Sequence, residues 1–383
     1  MYSNLSGAIL PFRAMDVLER ALEHDRCGRA IAHLEVGEPD FDVPDCVKSA
    51  MEKALRDGGT HYTHSLGELE LREEIASYYS RVRGCEVSPD QIVVTAGTSG
   101  GLLLLMRLLL DPGDEVLLAD PGYACYPNFV VSSAGAVRRF PVREAAGWKI
   151  NPSDAVGKVT PQTRAVLLNS PSNPTGASQS VSCAGSFLDA DVPVISDEIY
   201  QGLEYGPDRA PTLAGLAGAE APVFVLDGCS KRWAMTGIRI GWIVAPRGAM
   251  RRLQSLQQNL FICASSVAQA GALAALRFGA CDAERMRLEY ARRRDLLVDG
   301  LRRLGFSVPH TPDGAYYILA GAHHLDGDSL RLAFRILEEA AVGVGPGIDF
   351  GPGGEGYLRF SYAASMETLE LGLARLQAWL ESR

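Results

Sequence analysis

The chain has 383 residues, 47% of them hydrophobic and 22% charged, which is typical of a globular protein with room for two domains. Its net charge of -9 and pI near 5.4 argue against a nucleic-acid partner, because phosphate backbones attract basic surfaces. No apolar run reaches the roughly 20 residues of a membrane span, and the N-terminus lacks the pattern of a secretory signal.

Cysteine and histidine spacing predicts reduced thiols and no metal site. The eight cysteines contain no C-x-x-C pair, so we expect free thiols in a cytoplasmic protein. His61 and His64 lie three residues apart, but no acidic or thiol partner completes a ligand set. A polar helix start or loop is the expected structure there.

Strand-like and helical runs alternate, which predicts an α/β fold with parallel strands. A helix over 102–110 follows the first strand, and an Arg-rich amphipathic helix over 283–304 opens the C-terminal third. The first ~45 residues are too few for a core of their own and should pack with that third. The expected strands are 91–96, 115–119, 165–169, 192–196, 223–226 and 240–245, with 315–319 and 357–361 in a smaller α+β domain.

Open α/β sheets bind ligands at the carboxyl ends of their strands, so the residues after each strand are candidate site residues. Gly97, Thr98 and Ser99 follow the first strand and open a helix. Free backbone amides and small hydroxyls at a helix N-terminus suit a phosphate, although a plain tight turn has the same sequence. No nucleotide-triphosphate motif is present.

The next two strand ends carry an aromatic and an amide side chain. Tyr123 follows the second strand and is placed either to stack on a flat ring or to plug the core. Asn173, in the sequence Asn-Pro-Thr-Gly, either donates to a ring oxygen or belongs to an ordinary turn.

The fourth strand end carries Asp197, with Tyr200 three residues later. A carboxylate at the end of an apolar strand is poorly solvated and needs a cationic partner, such as a protonated pyridine nitrogen. A helix N-cap is the alternative role. A helical turn would return Tyr200 to the same side.

Lys231 follows an apolar, β-branched run and a turn of small residues, a position where a cation contributes little to packing. A shielded lysine amine loses proton affinity and becomes a nucleophile for aldehydes. Together the strand ends surround a phosphate, a flat ring with a basic nitrogen and a phenolic oxygen, and an aldehyde. That ligand is pyridoxal 5'-phosphate.

Five motifs occur in order along the chain, namely Gly37-Glu38-Pro39-Asp40-Phe41, Asn173-Pro174-Thr175-Gly176, Asp197-Glu198-Ile199-Tyr200, Ser230-Lys231 with Arg239 eight residues later, and Arg359-Phe360-Ser361-Tyr362. With these motifs the chain resembles the class I/II aminotransferases of the fold-type I pyridoxal-phosphate enzymes from about Leu34 to Tyr362. The resemblance implies a large domain with a mostly parallel seven-stranded sheet flanked by helices and a smaller α+β domain, divided as 1–45 (N-terminal arm), 46–280 and 281–383.

The resemblance implies a transaminase that exchanges an amino group between an amino acid and a 2-oxo acid. Lys231 would form the aldimine and shuttle the proton, and Asp197 would pair with the pyridinium nitrogen. Asn173 and Tyr200 would hydrogen-bond the ring oxygen, and Tyr123 would stack on the ring. The phosphate would be held by Gly97, Thr98, Ser99, Ser230 and Arg239.

Two further residues resemble the family's substrate groups. Arg359 matches the arginine that clamps the α-carboxylate, and Gly37 a glycine whose backbone faces that carboxylate. Tyr62 matches a tyrosine that reaches the phosphate of the neighbouring subunit, which implies a homodimer with shared active sites. A loop aromatic is the alternative role for Tyr62.

The chain departs from some relatives at two positions. Gly228 stands where some have a phosphate-binding serine. Ser99 stands where some aspartate-specific relatives have a lysine, and no arginine for a distal carboxylate can be assigned, so aspartate specificity is unsupported. The apolar segment 8–12 resembles the family's lid, which favours a substrate with a hydrophobic or aromatic side chain. An apolar segment that only docks on the protein would have the same sequence pattern.

Two alternatives stay open at this point. The same fold supports C–S β-lyases, cyclases and decarboxylases, because the outcome depends on which Cα bond stands perpendicular to the ring. A cofactor-sensing transcription regulator would need a DNA-binding domain before Gly37. Fewer than ~40 residues precede Gly37, and the chain is acidic, which disfavours DNA binding.

Overall fold

The computed structural model describes residues 2–206, 209–216 and 221–383. The α-helices are α1 (Asn4–Gly7), α2 (Arg13–Arg26), α3 (Asp45–Arg56), α4 (Leu69–Tyr78), α5 (Gly97–Leu109), α6 (Tyr126–Ser132), α7 (Pro152–Val156), α8 (Val181–Leu188), α9 (Arg247–Leu260), α10 (Ser266–Phe278), α11 (Ala280–Arg303), α12 (Ser329–Ala340) and α13 (Met366–Glu381). The strands are β1 (Ala32–His33), β2 (Ile92–Thr95), β3 (Glu115–Asp120), β4 (Ala136–Pro141), β5 (Thr163–Asn169), β6 (Val194–Asp197), β7 (Val223–Gly228), β8 (Gly241–Val244), β9 (Tyr317–Gly321), β10 (Val342–Gly343), β11 (Gly345–Pro346) and β12 (Tyr357–Ser361).

A seven-stranded sheet forms the centre of the molecule, in the order β2-β8-β7-β6-β5-β3-β4. The strands are parallel except for β8, which runs antiparallel to both β2 and β7. This arrangement confirms the predicted fold class. Sequence reasoning located six of the strands and missed β4, an edge strand whose adjacent arginines Arg138 and Arg139 hide its apolar pattern.

The sheet is covered on both faces, which explains the nearly continuous apolar runs of its strands. Every residue of β6 and β7 is buried. In β2, Ile92 and Val94 belong to one core cluster while Val93 belongs to another, because successive side chains of a strand point to opposite faces.

The C-terminal third contains a second layer of structure that includes the N-terminal segment. Strands β11, β12 and β9 form an antiparallel sheet, and β1 pairs with β10 in parallel, with Ala32 opposite Val342. Val17 and Ala21 of α2 share a core cluster with Leu297 of α11. The N-terminal residues therefore pack against the C-terminal third, while the domain limits at 45 and 280 stay a prediction.

Several element boundaries differ from the prediction. The helix expected over 102–110 begins at Gly97, because the small residues 97–101, interpreted as a tight turn, form its first turn. The helix expected over 283–304 begins at Ala280, and the strand expected over 315–319 lies at Tyr317–Gly321. Within the described ranges, no helix has the length and apolar character to cross a bilayer.

One charged histidine links α2 to the strand that follows it. His33 Nδ1 lies 2.6 Å from Glu35 Oε1, and Nε2 lies 2.7 Å from Asp25 Oδ2. The hydrogen bond with Glu35, followed by that with Asp25, raises the pKa of His33 to about 9 despite partial burial. At neutral pH the imidazolium therefore donates both protons to carboxylates.

His33→Gln should lower the free energy of unfolding at pH 6 by about 1 to 3 kcal/mol, the usual contribution of hydrogen bonds to charged groups. Because the pKa of His33 is raised in the folded state, the protonated imidazole stabilises the fold fully below the unfolded pKa near 6.5. This contribution is lost as the pH rises through about 9. The loss should therefore shrink at pH 10, as measured by denaturant unfolding. Exposed His310, changed to Gln, is the control. An equal loss at both pH values would contradict this account.

Candidate active site

A cavity of about 360 Å³ lies at the carboxyl edge of the sheet. It is lined by the predicted site residues Gly37, Thr98, Ser99, Tyr123, Asn173, Asp197, Tyr200, Ser230, Lys231, Arg239 and Arg359. Gly97 adjoins it, and Tyr62 lies outside it. A wider and more open groove along α11, of about 780 Å³, contains none of these residues.

Lys231 follows β7 and lies deep in the fold, with part of its side chain exposed to the cavity. Its Nζ donates a hydrogen bond to the Gly37 carbonyl oxygen at 2.8 Å. Burial lowers the pKa of Lys231 to about 8, although the negative charge of Glu38 opposes this shift. The neighbouring positive charges of Arg359 and Arg239 act in the same direction as burial. The free amine is therefore accessible near neutral pH.

Asp197 ends β6 and is almost completely buried. The Tyr126 hydroxyl donates to its Oδ2 at 2.8 Å, and the Ile199 amide donates to Oδ1 at 3.2 Å. The Ile199 bond closes a turn two residues on, so Asp197 does not cap a helix. Burial raises the pKa of Asp197 to about 6, since desolvation disfavours the carboxylate. A cation placed against it would offset the desolvation cost of the carboxylate.

Arg359 of β12 is 2% exposed and is aimed at the cavity. Its Nη1 donates to Asn173 Oδ1 at 3.1 Å, and its Nη2 donates to the Glu35 carbonyl at 2.6 Å. Its buried Nε has no partner among the described residues. A buried guanidinium held by neutral oxygens is prepared for an anion.

Asn173 and Tyr200 both line the cavity. The backbone amide of Asn173 donates a hydrogen bond to Asn169 Oδ1 at 2.8 Å, which holds the residue in place. The Tyr200 hydroxyl lies 2.9 Å from that of Tyr317, and both phenols are buried. Burial raises the pKa of Tyr200 well above its usual range, so the phenol remains protonated and available as a donor.

The N-terminus of α5 and Arg239 form the polar end of the cavity. Gly97 has φ +70°, and a Cβ there would lie 2.7 Å from Arg239 Nη2. Arg239 itself has φ +59°, a left-handed conformation that costs a non-glycine residue about 1 to 3 kcal/mol and occurs mostly at functional sites. Thr98 and Ser99 add hydroxyls beside the free helix amides.

Gly37 is required by the close approach of an aromatic side chain. A Cβ at this position would overlap the Tyr317 hydroxyl. The Gly37 carbonyl accepts bonds from Lys231 and, at 3.0 Å, from the Tyr316 hydroxyl. Tyr62, by contrast, lies in the loop between α3 and α4 and is 83% exposed.

The glycine at position 228, noted above as a departure, has a steric cause. A Cβ there would lie 2.9 Å from the Gly241 Cα and 3.0 Å from the Ile240 carbonyl oxygen. Strands β7 and β8 therefore approach too closely for a serine side chain at this position.

Sequence reasoning missed several residues that line or brace the cavity. Tyr126 lies three residues after Tyr123, a spacing that could have indicated a shared face. Tyr317 had no local signal. Two apolar residues of α2, Met15 and Leu18, also line the cavity, beside Phe12 of the predicted lid segment 8–12.

The side chains present fit pyridoxal phosphate. A helix N-terminus with an arginine suits its phosphate, buried Asp197 suits its ring nitrogen, and Lys231 suits its aldehyde. A family model described as aminotransferase class I and II matches residues 29–376. The chain belongs to this family. It is a pyridoxal-phosphate-dependent aminotransferase, a transferase of amino groups.

Relatives named for different substrates cover nearly the whole chain. A "(5-formylfuran-3-yl)methyl phosphate transaminase" of Methanocaldococcus jannaschii is 36% identical over 96% of both chains. A "Valine--pyruvate aminotransferase" of Mycobacterium tuberculosis is 34% identical over 99% of this chain and 98% of its own. The structure of Thermus thermophilus aspartate aminotransferase with maleate is 35% identical, with a TM-score of 0.93 over 99% of both chains.

Gly97→Ala should reduce cofactor affinity at least about 10-fold, because the new methyl group displaces the Arg239 guanidinium. Gly84→Ala is the matched control, since Gly84 has φ +68° and open space around it. Both changes should cost about 1 to 2 kcal/mol of stability from left-handed strain. Cofactor affinity is measured by absorbance titration of the apoenzyme. Equal affinities in the two variants would contradict the steric argument.

Proposed function

We propose that Lys231, Asp197 and Tyr200 carry out the transamination between an L-amino acid and a 2-oxo acid. The observation that carries the proposal is the buried amine of Lys231, with its pKa lowered to about 8, in one cavity with Asp197 and Arg359. A lysine with accessible free base both binds aldehydes and moves protons.

The cofactor would be held at three places. Its phosphate would lie against Gly97, Thr98, Ser99, Ser230 and Arg239, its ring against Tyr123, and its ring oxygen against Asn173 and Tyr200. Asp197, braced by Tyr126, would keep the ring nitrogen protonated. When bound, pyridoxal phosphate supplies an aldehyde and a ring that accepts electrons from the substrate Cα.

Arg359 would bind the substrate α-carboxylate through two N–H groups, with Gly37 and Asn173 beside it. This contact would fix the Cα above the cofactor within reach of Lys231. Lys231 Nζ would then take the proton from Cα and return it on the cofactor side. The support is that all these groups line one cavity, which leaves the proton little distance to travel.

We also propose a homodimer in which Tyr62 reaches the partner's phosphate site. The support is one exposed apolar surface, formed by Tyr62, Leu260 and Ile262, which are 83%, 50% and 48% exposed. The two segments that carry them are joined, since the Thr63 amide donates to Cys263 Sγ at 3.4 Å. Exposed apolar patches of this kind mark interaction sites.

A cytoplasmic location belongs to the same proposal. All eight cysteines are free, and a reducing compartment preserves thiols.

Lys231→Ala should lower the turnover rate at least about 10³-fold, because a positioned acid–base group typically contributes 10² to 10⁴-fold and the aldehyde anchor is lost as well. Surface Lys53→Ala, in α3, is the control. The single-turnover change in cofactor absorbance on adding amino acids reports the step directly. Turnover at the wild-type rate would rule out the assigned role.

Mixed dimers test the role of Tyr62. Tyr62→Ala alone should lower cofactor affinity about 10-fold or more, by loss of a hydrogen bond to a charged group. At a cofactor concentration that saturates the wild type but leaves Tyr62→Ala largely empty, equal amounts of Tyr62→Ala and Lys231→Ala chains, unfolded and refolded together, should regain about a quarter of wild-type activity. Half of the dimers are then mixed, and each mixed dimer has one intact site. No gain over the separate variants would show that Tyr62 does not act across the interface.

A further inference from the structure

The positively charged residues of the cavity all have a task in the proposed function. Lys231, Arg239 and Arg359 are the only Lys or Arg side chains among the described residues that line it. The first reacts, the second binds phosphate and the third binds the α-carboxylate. A dicarboxylic substrate would bring a second carboxylate, and burying a charge without a partner is costly.

The remaining wall is apolar where α2 begins. Phe12, Met15 and Leu18 line the cavity, and Val36 joins them from the segment after β1. The ring of Phe12 packs edge-on against that of Tyr123, with centroids 6.3 Å apart. An apolar or aromatic substrate side chain would find compatible contacts there.

Helix α2 carries apolar residues on a second face, which does not pack into the core. Ala14, Val17 and Ala21 form its buried stripe. Met15 and Leu18 lie three residues apart on another side, and Met15 is 50% exposed although it lines the cavity. An exposed apolar face beside a binding cavity gains contacts when an apolar group enters.

The position of α2 over the cavity is fixed by hydrogen bonds on both sides of Phe12. Asp349 accepts from the amides of Arg13 and Ala14 at 3.1 and 2.6 Å, which caps the helix N-terminus. Leu10 exchanges two hydrogen bonds with the Asn128 side chain, each of 3.0 Å. Hydrogen bonds therefore hold the apolar wall in a defined position beside the cavity.

Glu38 adds a negative charge on the solvent-exposed side of the cavity. Its carboxylate accepts a hydrogen bond from the Thr236 hydroxyl. This charge would repel a distal carboxylate of the substrate, so Glu38 disfavours acidic side chains while the α2 wall favours apolar ones.

From these contacts we infer that the enzyme selects amino acids with neutral apolar or aromatic side chains and discriminates against dicarboxylic ones. The inference rests on the proposed function, because it uses the roles assigned there to Lys231, Arg239 and Arg359. It extends that function by assigning Phe12, Met15, Leu18 and Glu38 to substrate specificity.

The test compares half-reactions of the holoenzyme with L-phenylalanine, L-leucine, L-aspartate, L-glutamate and L-lysine, followed by cofactor absorbance. We expect kcat/KM for phenylalanine and leucine to exceed that for aspartate and glutamate at least about 100-fold. Calorimetry should likewise show tighter binding of 3-phenylpropionate than of succinate. Preference for a dicarboxylate, or for lysine through Glu38, overturns the inference. No reaction with any amino acid would instead overturn the proposed function.

A charge added to the apolar wall should reverse part of the selection. Met15→Arg should raise kcat/KM for aspartate or glutamate about 10-fold relative to phenylalanine. Leu22→Arg is the matched control, since Leu22 is 45% exposed on the same helix but does not line the cavity. Thermal unfolding checks that both variants fold. Equal substrate ratios in the two variants would show that α2 does not face the substrate side chain.

Discussion

Desolvation at the carboxyl edge of the parallel sheet is the constraint on which the rest of the site depends. The same cause shifts two pKa values in opposite directions, lowering that of Lys231 and raising that of Asp197. Both shifts mean that charge is disfavoured until a partner arrives. A ligand with a protonated ring nitrogen would supply the countercharge for Asp197, and its aldehyde would take up the neutral amine of Lys231. Cofactor binding would therefore relieve the cost of burial and stabilise the fold by mass action.

A three-residue segment after β1 connects the groups proposed to act on the substrate. The Glu35 carbonyl holds Arg359, and the Gly37 carbonyl holds both Lys231 and Tyr316. The Glu35 side chain is fixed in turn by His33. The segment belongs to the layer built from the N- and C-terminal parts, whereas Lys231 follows a strand of the large sheet. The proposed substrate-binding and reacting groups therefore share one backbone support across the two layers.

Strand-end reasoning found Lys231 and Asp197 because a charged side chain after an apolar buried strand is a local conflict, visible in sequence. The fold class followed from the same alternation. What remained hidden depends on distant contacts: Tyr317 meets Tyr200 across 117 positions, and Tyr126 reaches Asp197 across 71. The steric need for Gly228 arises only when β8 lies against β7. Edge strand β4 was hidden because solvent exposure allows it to carry arginines.

The hydrogen-bond partner of the Lys231 amine affects the reactivity of this amine. An ion pair with Asp197 would stabilise the ammonium and suppress the free base. Instead, Nζ donates to the neutral carbonyl of Gly37, and Asp197 is occupied by Tyr126 and the Ile199 amide. A neutral amine retains N–H groups, so loss of the proton preserves this hydrogen bond while it exposes a lone pair. The carbonyl thus orients the amine in both protonation states, as the proposed roles of Lys231 in aldehyde binding and proton transfer require.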